Sequence, residues 1–141
     1  MTNFQCQIND QCPMTNERKI DIQERSIRFA IRAAKLVDRL PRKQSIFEYG
    51  KQLIRSSASV GANLQEADGA LSRKDFLNKL GISRKEAKET YYWLILVKEV
   101  VDNASPDCLT ELNWLLIESR EIKLIISKII NNTKANAGIG N

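Results

Sequence analysis

The sequence predicts an all-α protein, an up-down-up-down antiparallel four-helix bundle. Apolar residues recur at alternating steps of four and three over long segments, which is the spacing of near-parallel packed helices. The alternating Val, Ile and Thr runs that mark strands are missing. Only three prolines and six glycines interrupt 141 residues, and the short connections between helices favour antiparallel neighbours.

Local start and stop signals set the limits of each predicted helix. The four helices are expected at residues 17–40, 45–67, 72–102 and 105–131. Pro41 stops the first, because a proline removes a backbone donor and clashes with the preceding turn. Ser45 with Glu48 has capping-box spacing, and Ser72 with Asp75 repeats that spacing at the third helix. Ser105 followed by Pro106 predicts an N-cap and a first-turn proline.

One domain is predicted, spanning residues 17–131. The polar ends, residues 1–16 and 132–141, are expected to be disordered, with Cys6 and Cys12 as free thiols on the first of them. No apolar run approaches the roughly 20 residues that a membrane span needs. The N-terminus lacks the layout of a signal peptide, so the expected location is cytoplasmic.

Regular apolar seams identify the candidate core. The seam of the second helix is Ile46, Gly50, Leu53, Ser57, Val60, Leu64, Ala67 and Leu71. That of the fourth is Cys108, Leu112, Leu115, Ser119, Ile122, Ile126 and Ile129. The first helix has two apolar seams: Ile22, Phe29, Ala33, Leu36 and Leu40, and Ile20, Ile27, Ile31 and Ala34. Apolar residues of the fourth helix outside its seam are Trp114, Leu116, Ile117, Leu124, Ile125 and Ile130. This surplus predicts a symmetric oligomer that covers it.

Composition excludes several classes of enzyme. Histidine is absent, which removes the commonest general base and the commonest metal ligand. A di-metal bundle site needs Glu-x-x-His pairs, a cysteine nucleophile needs a histidine partner, and no glycine-rich phosphate loop is present. We therefore predict no catalytic residues, no metal and no cofactor.

The excess positive charge of +5 concentrates on the first helix. Its candidate nucleic-acid-binding residues are Arg25, Arg28, Arg32, Lys35, Arg39 and Arg42. At about 100° per residue they fall on one narrow face. Such a stripe fits a phosphate backbone bound without base readout. A solvated face and contact with an acidic partner protein are the alternatives.

The stretch RSSASVGANLQEA, residues 55–67, places serines, alanines and a glycine inside the second helix at a cost in helix propensity. Small side chains there favour close approach of a neighbouring helix. Its polar residues, with two glutamates of the third helix, predict a seam between helices or subunits: Arg55, Ser59, Asn63, Glu66, Glu86 and Glu89. A ligand site or a solvated face are the alternatives for this stripe.

Two motifs carry a resemblance over roughly residues 25–130. The first consists of Arg55, Ser56, Ser59, Val60, Ala62, Asn63 and Glu66. The second consists of Asp75, Phe76, Lys85, Glu86, Ala87, Glu89 and Thr90. Together they resemble the bacterial four-helix bundle family first noted as reading frames inside intervening sequences of 23S ribosomal RNA genes. The resemblance implies a ring, usually a pentamer. The same family includes the accessory protein of diversity-generating retroelements, which binds nucleic acid and a reverse transcriptase.

These observations predict a non-enzymatic, oligomeric binding module that presents a basic face to RNA or DNA, as an accessory to a nucleic-acid enzyme such as a reverse transcriptase. The alternative is a structural or protein–protein assembly module that binds no nucleic acid. The two hypotheses differ only in what the basic face of the first helix contacts.

Overall fold

Four helices make up the described part of the chain, residues 21–138 of a computed structural model. They are α1 (Ile22–Arg39), α2 (Gln44–Asp68), α3 (Arg73–Val100) and α4 (Pro106–Asn136). α1 and α3 each pack against both α2 and α4. No strand occurs between residues 21 and 138, so the predicted all-α class is confirmed.

Side-chain caps explain three of the four helix starts. Ser72 accepts a hydrogen bond from the Asp75 backbone N–H, and Ser105 accepts one from that of Cys108, so both predicted caps are confirmed. Asp21 caps α1 by accepting from the Gln23 N–H. α1 therefore begins at Ile22, because a capping residue has non-helical backbone angles, and the predicted start at residue 17 lies outside the described residues.

The predicted capping box at Ser45 is wrong. α2 begins one residue earlier, at Gln44, with Lys43 as an N-cap that makes no side-chain cap bond. The Gln44 amide instead donates to the Glu48 carboxylate over one helical turn, at 2.9 Å. That bond takes the glutamate away from the reciprocal contact a capping box requires.

Two C-terminal limits also differ from the prediction. α3 ends at Val100 rather than near residue 102, and the connection contains Asn103 with a φ of +56°, outside the helical region. α4 continues to Asn136 instead of ending near residue 131. Thr133 is buried, so the additional turn packs against the core, and its hydroxyl donates to the Ile129 carbonyl one turn earlier in α4. Residues 1–20, with Cys6 and Cys12, and residues 139–141 lie outside the described chain.

The core follows the predicted seams almost throughout. Every residue of the α4 seam is buried, and so is the α2 seam from Ile46 to Ala67. Leu71 is the exception: it is fully exposed, because it follows the end of α2. Ile130, expected outside the main seam, is buried in the core.

Part of the expected apolar surplus remains on the surface. Ile27 and Ile31 of α1 are 49% and 50% exposed, while Ile117 and Leu124 of α4 are 64% and 58% exposed. Trp114, Leu116 and Ile125 are partly buried against the core. The surplus on α4 is therefore smaller than its sequence suggested.

The small residues of α2 allow close helix contact on two sides. A Cβ added at Gly61 would lie 3.0 Å from the Ser26 hydroxyl oxygen of α1, and one at Gly50 would lie 2.8 Å from Val37 Cγ1. Toward α3, the Ser83 hydroxyl donates to the Val60 carbonyl at 2.7 Å. Packing against two neighbours accounts for the unusual composition of this stretch.

Candidate nucleic-acid interface

The six basic residues predicted as an interface divide into two groups. Arg25 and Arg32 are turned toward α4, where each meets a glutamate. The other four, Arg28, Lys35, Arg39 and Arg42, are exposed. The predicted single stripe therefore has an inner edge along α4 and an outer edge toward solvent.

The inner edge consists of two bidentate ion pairs. Arg25 Nε and Nη2 donate to the Glu118 carboxylate at 2.6 and 3.0 Å. Arg32 donates in the same way to Glu111 at 2.6 and 2.8 Å. Paired N–H donors on one carboxylate fix both the distance and the plane of the guanidinium. These two arginines fasten α1 to α4.

Arg32 makes an additional contact with an aromatic ring. Its guanidinium carbon lies 3.3 Å from the ring centroid of Trp114, a cation–π arrangement. The hydrogen bonds from Arg32 hold the pKa of Glu111 below its ordinary value, and those to Glu111 raise the pKa of Arg32. The hydrogen bond with Glu118 likewise raises the pKa of Arg25. Both arginines stay charged, and each gives its Nε and one Nη donor to a glutamate.

The outer edge is available to a ligand. Arg28 makes a loose contact of 3.7 Å with Glu24, one turn away on the same helix. Lys35, Arg39 and Arg42 form no ion pair within 4 Å with any residue between 21 and 138. An exposed, unpaired cation can neutralise a phosphate without first breaking an internal ion pair.

The predicted polar seam lies between α2 and α3 of the same chain. Arg55 donates to Glu86 at 3.3 Å and to Glu89, and the Trp93 indole N–H donates to Glu89 at 3.1 Å. Glu66 pairs with Lys79 at 2.6 Å.

The two remaining members of the seam interact along α2. The Asn63 amide donates to the Ser59 carbonyl at 2.8 Å, a bond within one helical turn. This local bond leaves Asn63 without a hydrogen bond to α3 among residues 21–138. The inter-helix part of the seam thus consists of Arg55, Glu66 and their α3 partners.

Several partners were missed by sequence reasoning. Glu111 and Glu118 stand seven residues apart, as do Arg25 and Arg32, and this matched spacing was the available signal. The sequence alone does not indicate which neighbouring helix Glu111 and Glu118 face. Lys79 and Trp93 were missed for the same reason.

Chemically, the described residues offer charge and hydrogen-bond donors. No group of three or more Cys, Asp or Glu residues between 21 and 138 is placed to hold a metal ion. Cys108 is buried in the core, 3% exposed. None of the four helices is long and apolar enough to cross a membrane.

Comparison with known proteins identifies a family and a similar crystal structure. The family model described as 23S rRNA-intervening sequence protein matches residues 18–128. A crystal structure of a protein with unknown function from the S23 ribosomal protein family of Bacteroides thetaiotaomicron is 37% identical, with a TM-score of 0.68. The match covers 78% of this chain and 95% of that one. No curated protein gives a significant match. The family match spans most of the chain, including α1, α2, α3 and all of α4 except its C-terminal end. This protein therefore belongs to the 23S rRNA-intervening sequence protein family.

Proposed function

We propose that this protein is a non-enzymatic, oligomeric helical-bundle protein that binds the phosphate backbone of RNA or DNA through the outer edge of α1. The observation that carries the proposal is the set of exposed cations Lys35, Arg39 and Arg42, which form no ion pair within 4 Å with residues 21–138. Of these, Arg39 lies close enough to Glu111 of α4 to help lower the pKa of that carboxylate. Backbone binding of this kind is sequence-independent, because phosphates carry no base information.

The proposal gives Arg25 and Arg32 a positioning role. Their ion pairs with Glu118 and Glu111 hold α1 against α4 and keep its outer edge facing solvent. A phosphate would have to compete with a bidentate carboxylate to reach either guanidinium. Arg28, whose contact with Glu24 is long and exposed, remains a candidate ligand.

The assembly that we propose is an up-down-up-down bundle closed into a ring of identical subunits, a pentamer by the family resemblance. Support comes from Ile27 and Ile31, half exposed and one turn apart on α1. A ring repeats each basic edge around its circumference, so weak single contacts add through multivalency. The nucleic-acid enzyme that it would assist is, by the same resemblance, a reverse transcriptase.

The alternative function is a structural assembly module without nucleic acid. It is favoured by an open groove of about 620 Å³ at the connection between α1 and α2, lined by Val37, Pro41, Phe47 and Ile54 among others. Phe47 is 60% exposed, an apolar surface suited to a protein partner.

A salt titration tests the proposal. We expect wild-type protein to bind labelled single-stranded RNA and duplex DNA, with log affinity falling linearly against log salt. The variant Lys35→Gln/Arg39→Gln should flatten the duplex slope by about 1.8, since each phosphate contact contributes about 0.9. Glutamine is a good helix former, so the fold should tolerate both changes.

The matched control is Lys79→Gln/Lys128→Gln, which removes the same charge from α3 and α4 without touching α1 or the groove beside Arg42. It should leave the slope nearly unchanged. Absence of wild-type binding at about 50 mM salt, where backbone contacts are strong, would reject the proposal and leave the assembly module.

A further inference from the structure

The groove between α3 and α4 has a regular register. Arg84 Nη1 lies 3.5 Å from Ser127 Oγ, the Arg120 guanidinium carbon lies 5.8 Å from the Tyr91 ring centroid, and Lys98 Nζ donates to Asn113 Oδ1 at 3.0 Å. Each step of seven residues along α3 is matched by a step of seven back along α4. The two helices therefore run in opposite directions with constant pairing along this groove.

The same register places cations opposite cations. Lys88 follows Arg84 by one turn and Lys123 precedes Ser127 by one turn, so the register brings the two lysines to the same level on either side of the groove. Farther along, Lys74, Arg84 and Lys134 line one cavity of about 470 Å³. We call the resulting set the α3/α4 basic track: Lys74, Arg84, Lys88, Lys98, Arg120, Lys123 and Lys134.

The carboxylates of α3 and α4 are turned away from this track. Between Arg84 and Lys98 the acids of α3 are Glu86 and Glu89, and both bind Arg55 of α2. Between Asn113 and Lys134 the acids of α4 are Glu118, which binds Arg25 of α1, and Glu121, which lies close enough to Arg25 to raise its pKa. Acids approach only the two ends, where Asp75 lines the 470 Å³ cavity and Glu99 follows Lys98.

Within residues 21–138, no carboxylate forms a close ion pair with the track. Its seven cations form no ion pair within 4 Å with the chain from 21 to 138. The Lys98 partner, Asn113, is a neutral amide. Facing like charges are unfavourable to the folded chain, because each raises the electrostatic energy of the other. An external polyanion would relieve that repulsion.

The dimensions indicate an elongated ligand. From Lys74 to Lys98 the track extends about 36 Å, at a rise of 1.5 Å per residue. One turn of duplex DNA has a similar length, about 34–36 Å.

We propose that the α3/α4 basic track is a second nucleic-acid backbone site, separate from the outer edge of α1. It deepens the proposed function and rests on it, because both surfaces would hold one polyanion on two sides of α4. The ligand is a phosphodiester backbone, and recognition is by charge and length rather than by sequence.

The test uses the full-length protein and a labelled DNA duplex of about 20 base pairs, roughly twice the track length at 3.4 Å per pair. Lys88→Gln/Lys123→Gln removes the facing pair at the centre of the track. We expect weaker binding to all sequences and a duplex salt slope flatter by about 1.8. Light scattering and thermal unfolding should report unchanged oligomer size and undiminished stability. Lys79→Gln/Lys128→Gln removes equal charge outside the track, since Lys79 is turned toward Glu66 of α2, and should bind as wild type.

The outcomes separate the two sites. Loss in the track variant beside intact binding by the control supports the inference. Loss in Lys35→Gln/Arg39→Gln with wild-type binding by the track variant overturns it and leaves the proposed function standing. Absence of binding by the wild type overturns both. Binding of phosphatidylserine vesicles that the track variant loses, with duplex binding unaffected, would instead assign the track to a membrane surface.

Discussion

Arg32 contacts α4 more extensively than Arg25 does. Both arginines donate two hydrogen bonds to a glutamate of α4, and Arg32 in addition stacks on Trp114. Lysine could not replace it, since a lysine has neither the paired donors nor the flat surface. A residue predicted as a phosphate ligand is thus part of the packing between two helices.

Glu111 makes the stability of the protein depend on pH in a defined direction. Its pKa is lowered in the folded state, so its contribution is full above the unfolded value near 4.5 and is lost as the pH falls through the lower folded value. We expect wild-type protein to lose more free energy of unfolding than Glu111→Gln between about pH 5 and pH 3.

Urea denaturation across that pH range measures the difference. Glu24→Gln is the matched control, because Glu24 makes only a loose contact with Arg28 and should follow the wild-type profile. Parallel profiles for wild type and Glu111→Gln would show that the ion pair with Arg32 adds nothing.

At the scale of elements, close contact between α1 and α2 depends on Gly61. A leucine there would collide with Ser26, whose hydroxyl oxygen lies 3.0 Å from the added Cβ, while a Cβ at Gly69 meets only a carbonyl at 3.8 Å. We expect Gly61→Leu to lower the free energy of unfolding by about 1–3 kcal/mol, as overpacking does. Gly69→Leu should cost less.

Thermal and urea denaturation measure the free energy of unfolding of Gly61→Leu and Gly69→Leu, with Gly81→Ala as a reference variant. An added Cβ at Gly81 meets nothing within 4 Å inside α3, so alanine should stabilise by about 0.8–1.0 kcal/mol through helix propensity. Equal losses at positions 61 and 69 would contradict a tight contact between α1 and α2.

Helix limits could be predicted where the signal is local. The caps Ser72 and Ser105 depend on a few adjacent residues, and the structure has both. At the start of α2 two donors are available to the Glu48 carboxylate, and it accepts from the Gln44 amide rather than closing a box with Ser45. The end of α4 depended on burial of Thr133 among other helices, which no adjacent residue signals.

The interface was harder to predict than the fold. Periodicity places Arg25 and Arg39 on one face of their own helix but does not tell which of them meets a carboxylate of another helix. The α3/α4 basic track was missed because its cations alternate along the sequence with acids that fold onto α1 and α2. Charge segregation of this kind becomes visible only when the register between helices is known.

At the scale of the whole molecule, the exposed pair Ile27 and Ile31 bears on assembly. We expect light scattering of the wild type to return a multiple of the 16.1 kDa chain mass, with five copies favoured by the resemblance. Ile27→Gln/Ile31→Gln should shift the mass toward the monomer, because the apolar area gained on association is lost.

Leu71→Gln is the control for that experiment. Leu71 is fully exposed beyond the end of α2, and we expect its replacement to leave the mass unchanged. A wild-type monomer at micromolar concentration would reject the ring. A dimer or tetramer would keep the role of the exposed isoleucines and reject only the five-fold count.

The two tryptophans give the protein a pair of built-in optical reporters. Trp114 lies under Arg32 at the contact of α1 with α4, and Trp93 donates to Glu89 at the contact of α2 with α3. The sequence has no other tryptophan. Trp93→Phe therefore leaves an emission spectrum that senses only the first contact, and Trp114→Phe one that senses only the second. A charge beside an indole shifts its emission, so separation of either helix pair can be followed in real time without a label.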